Sequence, residues 1–510
     1  MHLPTLGNQM GYVKRIAGIA AVAAVAIATP AYAGQVILVD GDHAQKVEDP
    51  AVPTRAEAAL GMPRIATASH VRARASTAQG RRAVFSALRK ELRLKHIKRS
   101  AYRRWRATYV RSARTLRRLS GARATQLRYV LTSVESLALR RQLGATRMPV
   151  AFLQLKRNRQ YWPRLPYPAA GDQVSFRGSE ILFQYFAGEG LQLHPLSTFK
   201  KANHLHGFCE RMEPTCDEEA LRRILNEMTG LAVKRGRGFI AWEYLFYFGG
   251  GTPPWMSGMA QATGIQALGR AAALLGEPKY LETARRALGA FETGPPSGVR
   301  TTGPRGGVHY LQYSFAPRLY IFNAFLQSLI GLHDFAQLAD DDRARRLFRE
   351  AEPEAREEVP LSDLGDWSLY NYAGHESSSD YHELLREFLQ SMCTRRLGAL
   401  YCDYARRYRG YQVDPPELIW KGPAVATEDQ PATIRFNVSK LSAIEVKVTN
   451  PHGMVTFSRL ATFRRGDGSF TWTPRGPGVF TVSVAAKELR TGLGKRARGG
   501  GEIQVENRPG

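Results

Sequence analysis

Between Asp217 and Tyr408 the chain repeats one pattern, a helix-length run, a short turn and a second helix-length run. The runs are Glu218 to Lys234, then Gly258 to Leu275 with Tyr280 to Phe291, Leu319 to Phe335 with Asp341 to Ala351, and Tyr381 to Thr394 with Arg395 to Tyr408. Asp217 and Ser257 stand where N-caps belong, since their side-chain oxygens accept the free amides of a first turn. A single hairpin cannot bury its own apolar face. Alanine-rich hairpins of about forty residues with glycine turns therefore stack, and the expected result is an α/α-toroid, a barrel of paired helices.

The period changes after Gly410. Segments such as Thr433-Ile-Arg-Phe-Asn-Val, Ile444-Glu-Val-Lys-Val and Gly478-Val-Phe-Thr-Val-Ser-Val alternate apolar and polar residues, which predicts an immunoglobulin-like β-sandwich over 411–510. The Cys-Trp-Cys pattern is missing, so this unit reads as a general extracellular module that binds a surface or spaces a catalytic unit. The whole is a multidomain α+β chain: signal peptide 1–33, linker 34–79, basic helical hairpin 80–147, α/α-barrel with flanking β-strands 148–410, and the sandwich. The flanking strand-like pieces are Val150 to Leu155, Gln173 to Phe176 and Ile181 to Phe186.

The expected address comes from the N-terminus. Lys14 and Arg15 precede an apolar run from Ile16 to Ala28, too short for a comfortable span, and Ala31-Tyr32-Ala33 offers a small-x-small cleavage site. A secreted or envelope-associated protein follows. Its four cysteines form two close pairs, Cys209 with Cys216 and Cys393 with Cys402, which read as local disulfides in an oxidising compartment. The rival is zinc at His204, His206, Cys209 and Cys216, but the CxxC knuckle is absent and no metal or other cofactor is expected. The net charge of +27 is concentrated between Arg81 and Arg141 and calls for a polyanionic partner. Export favours anionic polysaccharide or an acidic envelope surface over nucleic acid; oligomeric state is left open.

Aromatic and polar residues crowd both sides of the Leu319–Phe335 run, as a cleft rim would require. Tyr310, Gln312 and Tyr313 precede it; Trp367, Tyr370, Tyr372, His375, Glu376, Asp380, Tyr381 and His382 follow. Trp255 and Trp367 are candidates for stacking on sugar faces, His382 for orienting Tyr381. Glu376 with Asp380 suggests a two-carboxylate glycosidase only by proximity. Glu243 and Tyr244 sit before a glycine turn that lacks a phosphate-binding context.

At these residues the sequence resembles the D-glucuronyl C5-epimerase family over roughly 150–408. The anchors are PPWMSGMAQATGIQALGRAA from Pro253, LQYSFAPRLYIFNAFLQSLIGLHDF from Leu311, and the pair GDWSLYN and SSDYHELL. The resemblance implies an α/α-barrel enzyme that converts D-glucuronate to L-iduronate within a heparan-type chain, with Tyr313, Tyr370 and Tyr381 as catalytic residues. It departs at Gln312, where the family carries Glu, so the base is another group or the reaction differs. It departs again between Tyr370 and Tyr381, where the segment is shorter than the family's, although His375 lies there.

Epimerisation at C5 removes a proton beside a carboxylate and returns one from the opposite face, so it needs two groups about the ring and a cation for the growing charge. Tyr370 with Tyr381 is the expected pair, Tyr313 assists, and Arg318, Lys200, Lys201, Arg305 and His309 are the candidate cations. A polysaccharide lyase, or a non-catalytic binder of surface polymers, are the alternatives.

Overall fold

A computed structural model describes residues 34–58, 77–236 and 238–509. The expected leader at 1–33 lies outside them. Residues 34–58 are no linker: β1 (Gly34–Asp40) and β2 (His43–Asp49) form a hairpin, followed by the single turn α1 (Arg55–Ala58). Val36 and Val39 on β1 are buried, and that apolar alternation overrides the polar surroundings that suggested a linker.

The basic stretch forms three helices rather than a hairpin, α2 (Thr77–Arg93), α3 (Arg99–Leu116) and α4 (Gly121–Leu139). The extra break falls at Lys95, whose φ of 57° is left-handed and incompatible with a continuing helix. The segment read as a strand from Val150 is part of α5 (Met148–Tyr161), with a proline in its first turn. A short apolar run does not distinguish strand from buried helix by periodicity. Three short strands, β3 (Gln173–Phe176), β4 (Phe183–Phe186) and β5 (Gly190–Leu193), complete a sheet of order β2-β1-β3-β4-β5. Within it β1 runs parallel to β3, from Val36 opposite Gln173 to Val39 opposite Phe176.

Then come the hairpins: α6 (Pro195–Glu210) with α7 (Glu218–Gly230), the strand pair β6 (Val233–Arg235) and β7 (Phe239–Ala241), and α8 (Gly258–Leu275) with α9 (Lys279–Ala287). The pair β8 (Arg300–Thr302) and β9 (Val308–Tyr310) precedes α10 (Phe322–Leu338) and α11 (Asp342–Leu361), and α12 (Ser379–Thr394) with α13 (Ala399–Val413) closes the series. Asp217, Ser257, Asp341 and Ser378 each accept a first-turn amide. Gly276 ends α8 at φ 66°, a conformation that favours glycine.

Helices α6, α8, α10 and α12 lie side by side, and each is backed by the helix that follows it, so the four inner helices run the same way. The turn α1 touches both α6 and α12. A Cβ at Gly331 would meet the Ala262 carbonyl at 2.5 Å, so α8 and α10 pack almost backbone to backbone. Disulfides Cys209–Cys216 and Cys393–Cys402 tie the turns after α6 and α12. Each closes a short loop, so reducing each costs about 2–3 kcal/mol of unfolding free energy, measurable by urea titration with and without reductant. Among the described residues no helix is long and apolar enough to cross a membrane.

The C-terminal part is all strand: β10 (Leu418–Trp420), β11 (Val425–Thr427), β12 (Ala432–Val438), β13 (Ser442–Thr449), β14 (Val455–Phe463), β15 (Gly466–Trp472), β16 (Gly478–Glu488) and β17 (Arg496–Glu506). They make two sheets, β10-β12-β15 and β11-β17-β16-β13-β14. Ile434, Phe436, Val446, Phe480 and Val484 share one core drawn from both.

This unit grips the helical one at a particular loop. Arg490 binds the carboxylates of Asp366 and Glu376, and its guanidinium lies over Trp367 at 5.8 Å. Arg464 also binds Glu376, and Leu441 N–H donates to Asp366 (3.2 Å). Lys440 Nζ donates to the carbonyls of Gly410, Tyr411 and Asp414 at the end of α13. The held segment, 366–376, contains Tyr370.

Candidate active site

The segments that enter the four inner helices are stitched together at one end of the bundle. Tyr244 N–H donates to Trp255 O (2.8 Å), Gly258 N–H to Leu311 O (3.1 Å), and Ser314 N–H to Met256 O (3.0 Å). Phe322 N–H donates to Tyr370 O (3.3 Å) and Tyr372 N–H to Tyr320 O (3.0 Å). Leu196 N–H reaches the Tyr244 hydroxyl (3.4 Å). Residues distant in sequence thus meet where four first turns converge.

The three tyrosines meet there. Tyr313 and Tyr370 share a hydrogen bond, and the rings of Tyr370 and Tyr381 lie 5.0 Å apart, tilted by 57°. Tyr313 is enclosed, Tyr370 is 7% exposed, and Tyr381, in the first turn of α12, is partly open. Burial, then the neighbouring phenols, push Tyr313 well above its ordinary value. Burial and Tyr381 do the same to Tyr370, against which the Tyr313 hydrogen bond acts. Of the two, Tyr370 is the less enclosed. A sugar ring between two stacked faces needs two van der Waals contacts, about 7–8 Å in all. The expected placement of Tyr370 and Tyr381 on opposite sides of a ring is thus not met by their ring planes as they stand.

Most of the remaining expected contacts are structural. Trp255 stacks on Tyr244 at 4.2 Å and donates to Phe246 O (2.9 Å); it walls the site beside Tyr313, 5.8 Å away, and shows no face to solvent. Trp367 stacks on His382 at 3.7 Å and donates to Ser377 O (2.8 Å), so neither tryptophan is an open sugar platform. His382 is enclosed, with Nε2 donating to Tyr408 O (3.0 Å) and Nδ1 2.8 Å from Ser368 Oγ. Tyr310 is enclosed and donates to Leu347 O (2.8 Å). Gln312, also buried, accepts from Ser257 Oγ (2.9 Å). His375 is exposed and donates to Asn371 Oδ1 (3.0 Å), and Tyr372 is exposed.

The candidate cations separate sharply. Arg318 and Arg305 are exposed. Lys201 is paired with Glu180 (2.8 Å) and Asp49 (3.4 Å), and His309 is sealed against Glu358 (2.8 Å). Lys200 is buried on α6, 5.7 Å from the Phe388 ring of α12. Burial pulls its ammonium below the ordinary range while Glu57 and Glu387 oppose that. Glu376 serves the link to the β unit and Asp380 is exposed, which separates the supposed glycosidase pair. Glu243 is buried under Arg147 (2.6 and 2.8 Å) and Arg235 (3.4 Å), a scaffold ion pair. Both sulfurs of the zinc alternative are spent in the Cys209–Cys216 disulfide.

His194, overlooked in the sequence, caps α6. Its Nδ1 accepts from Ser197 N–H (3.0 Å), so the proton sits on Nε2, which is buried and finds no partner among the described residues. The signal was a histidine directly before the proline that opens a helix. Burial holds His194 down to about 3 and His382 to about 4. Between those values and about 6.5 the unfolded chain binds more protons than the folded one. Stability therefore falls as pH drops below about 6.5, by about 1.4 kcal/mol per unit for each group. Glu57 adds to the loss below its ordinary value, because His204 and Lys200 outweigh burial and hold it at about 2. Urea unfolding at several pH values checks this; equal stability at pH 7 and pH 4.5 contradicts it.

Residues 235–410 match the family described as D-glucuronyl C5-epimerase C-terminus. The chain is 33% identical over 131 residues to the D-glucuronyl C5-epimerase of Caenorhabditis elegans, covering 23% of this chain and 21% of that enzyme. It is 25% identical over 177 residues to an uncharacterized protein of Methanocaldococcus jannaschii, covering 34% of this chain and 58% of that protein. The chain thus spans less than two thirds of either relative. A solved polysaccharide lyase overlays with a TM-score of 0.31 and 10% identity, over 43% of this chain and 60% of that one, too loose a likeness to assign a shared fold. Residues 235–410, which hold all three tyrosines, thus match the D-glucuronyl C5-epimerase family in its C-terminal part.

Proposed function

We propose that this chain is an exported, cofactor-independent C5-epimerase that converts D-glucuronate to L-iduronate within an anionic polysaccharide. One observation carries the reading: Tyr313, Tyr370 and Tyr381, brought from separate loops, are in contact where the inner helices begin, inside the family segment. In this reading the hairpins form an α/α-toroid and the C-terminal sheets an immunoglobulin-type sandwich. Two disulfides suit an oxidising compartment, in keeping with a leader at 1–33.

Tyr370, the more accessible of the hydrogen-bonded pair, takes the C5 proton once ionised. The electron pair left behind spreads into the adjacent carboxylate. Tyr381 turns off Tyr370 to admit the sugar and returns a proton to the other face of C5. Tyr370 is then protonated and Tyr381 ionised, and their contact lets the proton pass back. Growing carboxylate charge is met by the partial positive charge of the converging helix N-termini.

The experiment is a proton NMR time course on glucuronate-containing polymers. Iduronate signals arising without loss of polymer length support the epimerase. Unsaturated uronate ends with falling polymer length would instead mean a lyase, and no change in any polymer would mean a binding protein.

A further inference from the structure

Eight arginines lie between Arg99 and Arg118, and that stretch holds no Asp or Glu. On α3 and the turn after it, Arg99, Arg103, Arg106, Arg114 and Arg117 recur at helical spacing and are exposed. They share one face of a helix whose 18 residues span about 27 Å. Elsewhere guanidinium groups are answered by carboxylates, as in Arg147–Glu243, Arg222–Glu277 and Arg395–Asp334. Among the described residues, none of these five has a carboxylate at ion-pair distance.

A second basic cluster lies where α5 packs against α3, on the flank of α3 that carries Arg104 and Arg111. Burial first, and then Arg157, Arg159 and Arg104, depress Lys156 below its ordinary value; burial and Arg111 do the same to Arg159. The two helices therefore repel at their shared edge. An unpaired, mutually repelling set of charges destabilises the free protein slightly and is relieved by a bound polyanion.

We propose that the arginine face of α3 is a docking track for the anionic polysaccharide chain, separate from the three tyrosines. The choice of occupant rests on the epimerase reading. The shape of the face supports it: a helix that lies on a lipid surface needs large apolar side chains beside its charges. Here Trp105 and Tyr109 of α3 point inward, and α3 exposes no large apolar side chain. A narrow line of guanidinium groups suits a linear chain of carboxylates. The track raises the residence of long polymers and adds nothing for fragments too short to reach it.

The test uses the full chain and its Arg103→Glu/Arg114→Glu/Arg117→Glu variant, checked for unchanged melting. Calorimetric binding of a long polymer alternating glucuronate and an N-acetylhexosamine should weaken by about tenfold or more in the variant, and with added salt in the parent. C5 exchange should show a raised KM on that polymer with kcat unchanged, and identical kinetics on a tetrasaccharide. Unchanged polymer affinity in the variant overturns the track, as does tighter binding of duplex DNA or of anionic vesicles than of the polymer. Absence of exchange in the parent on either substrate strikes the epimerase reading instead, and the binding arm still decides the track.

Discussion

Tyr370→Phe lowers C5 proton exchange by about 10²–10⁴-fold, the range for a lost general acid or base, while the protein keeps its fold. The change removes one oxygen and leaves the ring contact with Tyr381 in place. It removes the hydrogen bond between Tyr370 and Tyr313, at a stability cost of about 0.5–1.5 kcal/mol. Two controls separate chemistry from packing. Tyr372→Phe, at an exposed position, leaves exchange and stability alone. Tyr310→Phe loses the bond to Leu347 O and so reduces stability without a comparable effect on exchange. Exchange rates and urea midpoints for the three variants check the pattern; equal rates for Tyr370→Phe and the parent contradict it.

Arg490→Ala is expected to cost about 3–5 kcal/mol, because it removes the guanidinium from Asp366 and leaves a buried carboxylate without its counter-charge. The consequence reaches the site. Asp366 and Glu376 bracket the loop that carries Tyr370, and Arg490 holds both ends. Beneath it, Trp367 stacks on His382, the neighbour of Tyr381. Arg490→Lys keeps one charge but cannot span two carboxylates, and falls between. Urea unfolding measures the cost, and amide exchange of Ser377, whose N–H donates to Ser368 O (2.9 Å), reports the loop. A loss under about 1 kcal/mol, within the range of an exposed pair, contradicts the expectation.

That link was not legible in the sequence, because Arg490 and Asp366 are 124 residues apart and nothing local marks either. What local pattern does mark was read well. The Ser257 cap and the Gly276 stop delimit α8 as the sequence suggests, and the alternation after Gly410 becomes two sheets. Errors arose where a short apolar run fits two structures, as at Val150 in α5, or where polar surroundings hid a strand, as at Val36 in β1.

At the site, the family resemblance singled out Tyr313, Tyr370 and Tyr381, while composition alone marked only a crowd of aromatic and polar residues beside one helix run. The environment of each neighbour was not legible. Trp367, His382 and Tyr310 share the composition of a cleft rim, yet each has its polar atom satisfied inside the core. Composition says that an aromatic residue has a polar end; only tertiary packing decides whether backbone, water or substrate satisfies it.

The most direct measurement is deuterium uptake. The full chain is incubated with a glucuronate-containing polymer in heavy water, and label at C5 is read by NMR beside polymer length. Deuterium at C5 of both uronate epimers, at undiminished length and lost in Tyr370→Phe, is the predicted result. Label that enters equally well in Tyr370→Phe and Tyr381→Phe, or a parent protein that binds the polymer and exchanges nothing, would contradict the account.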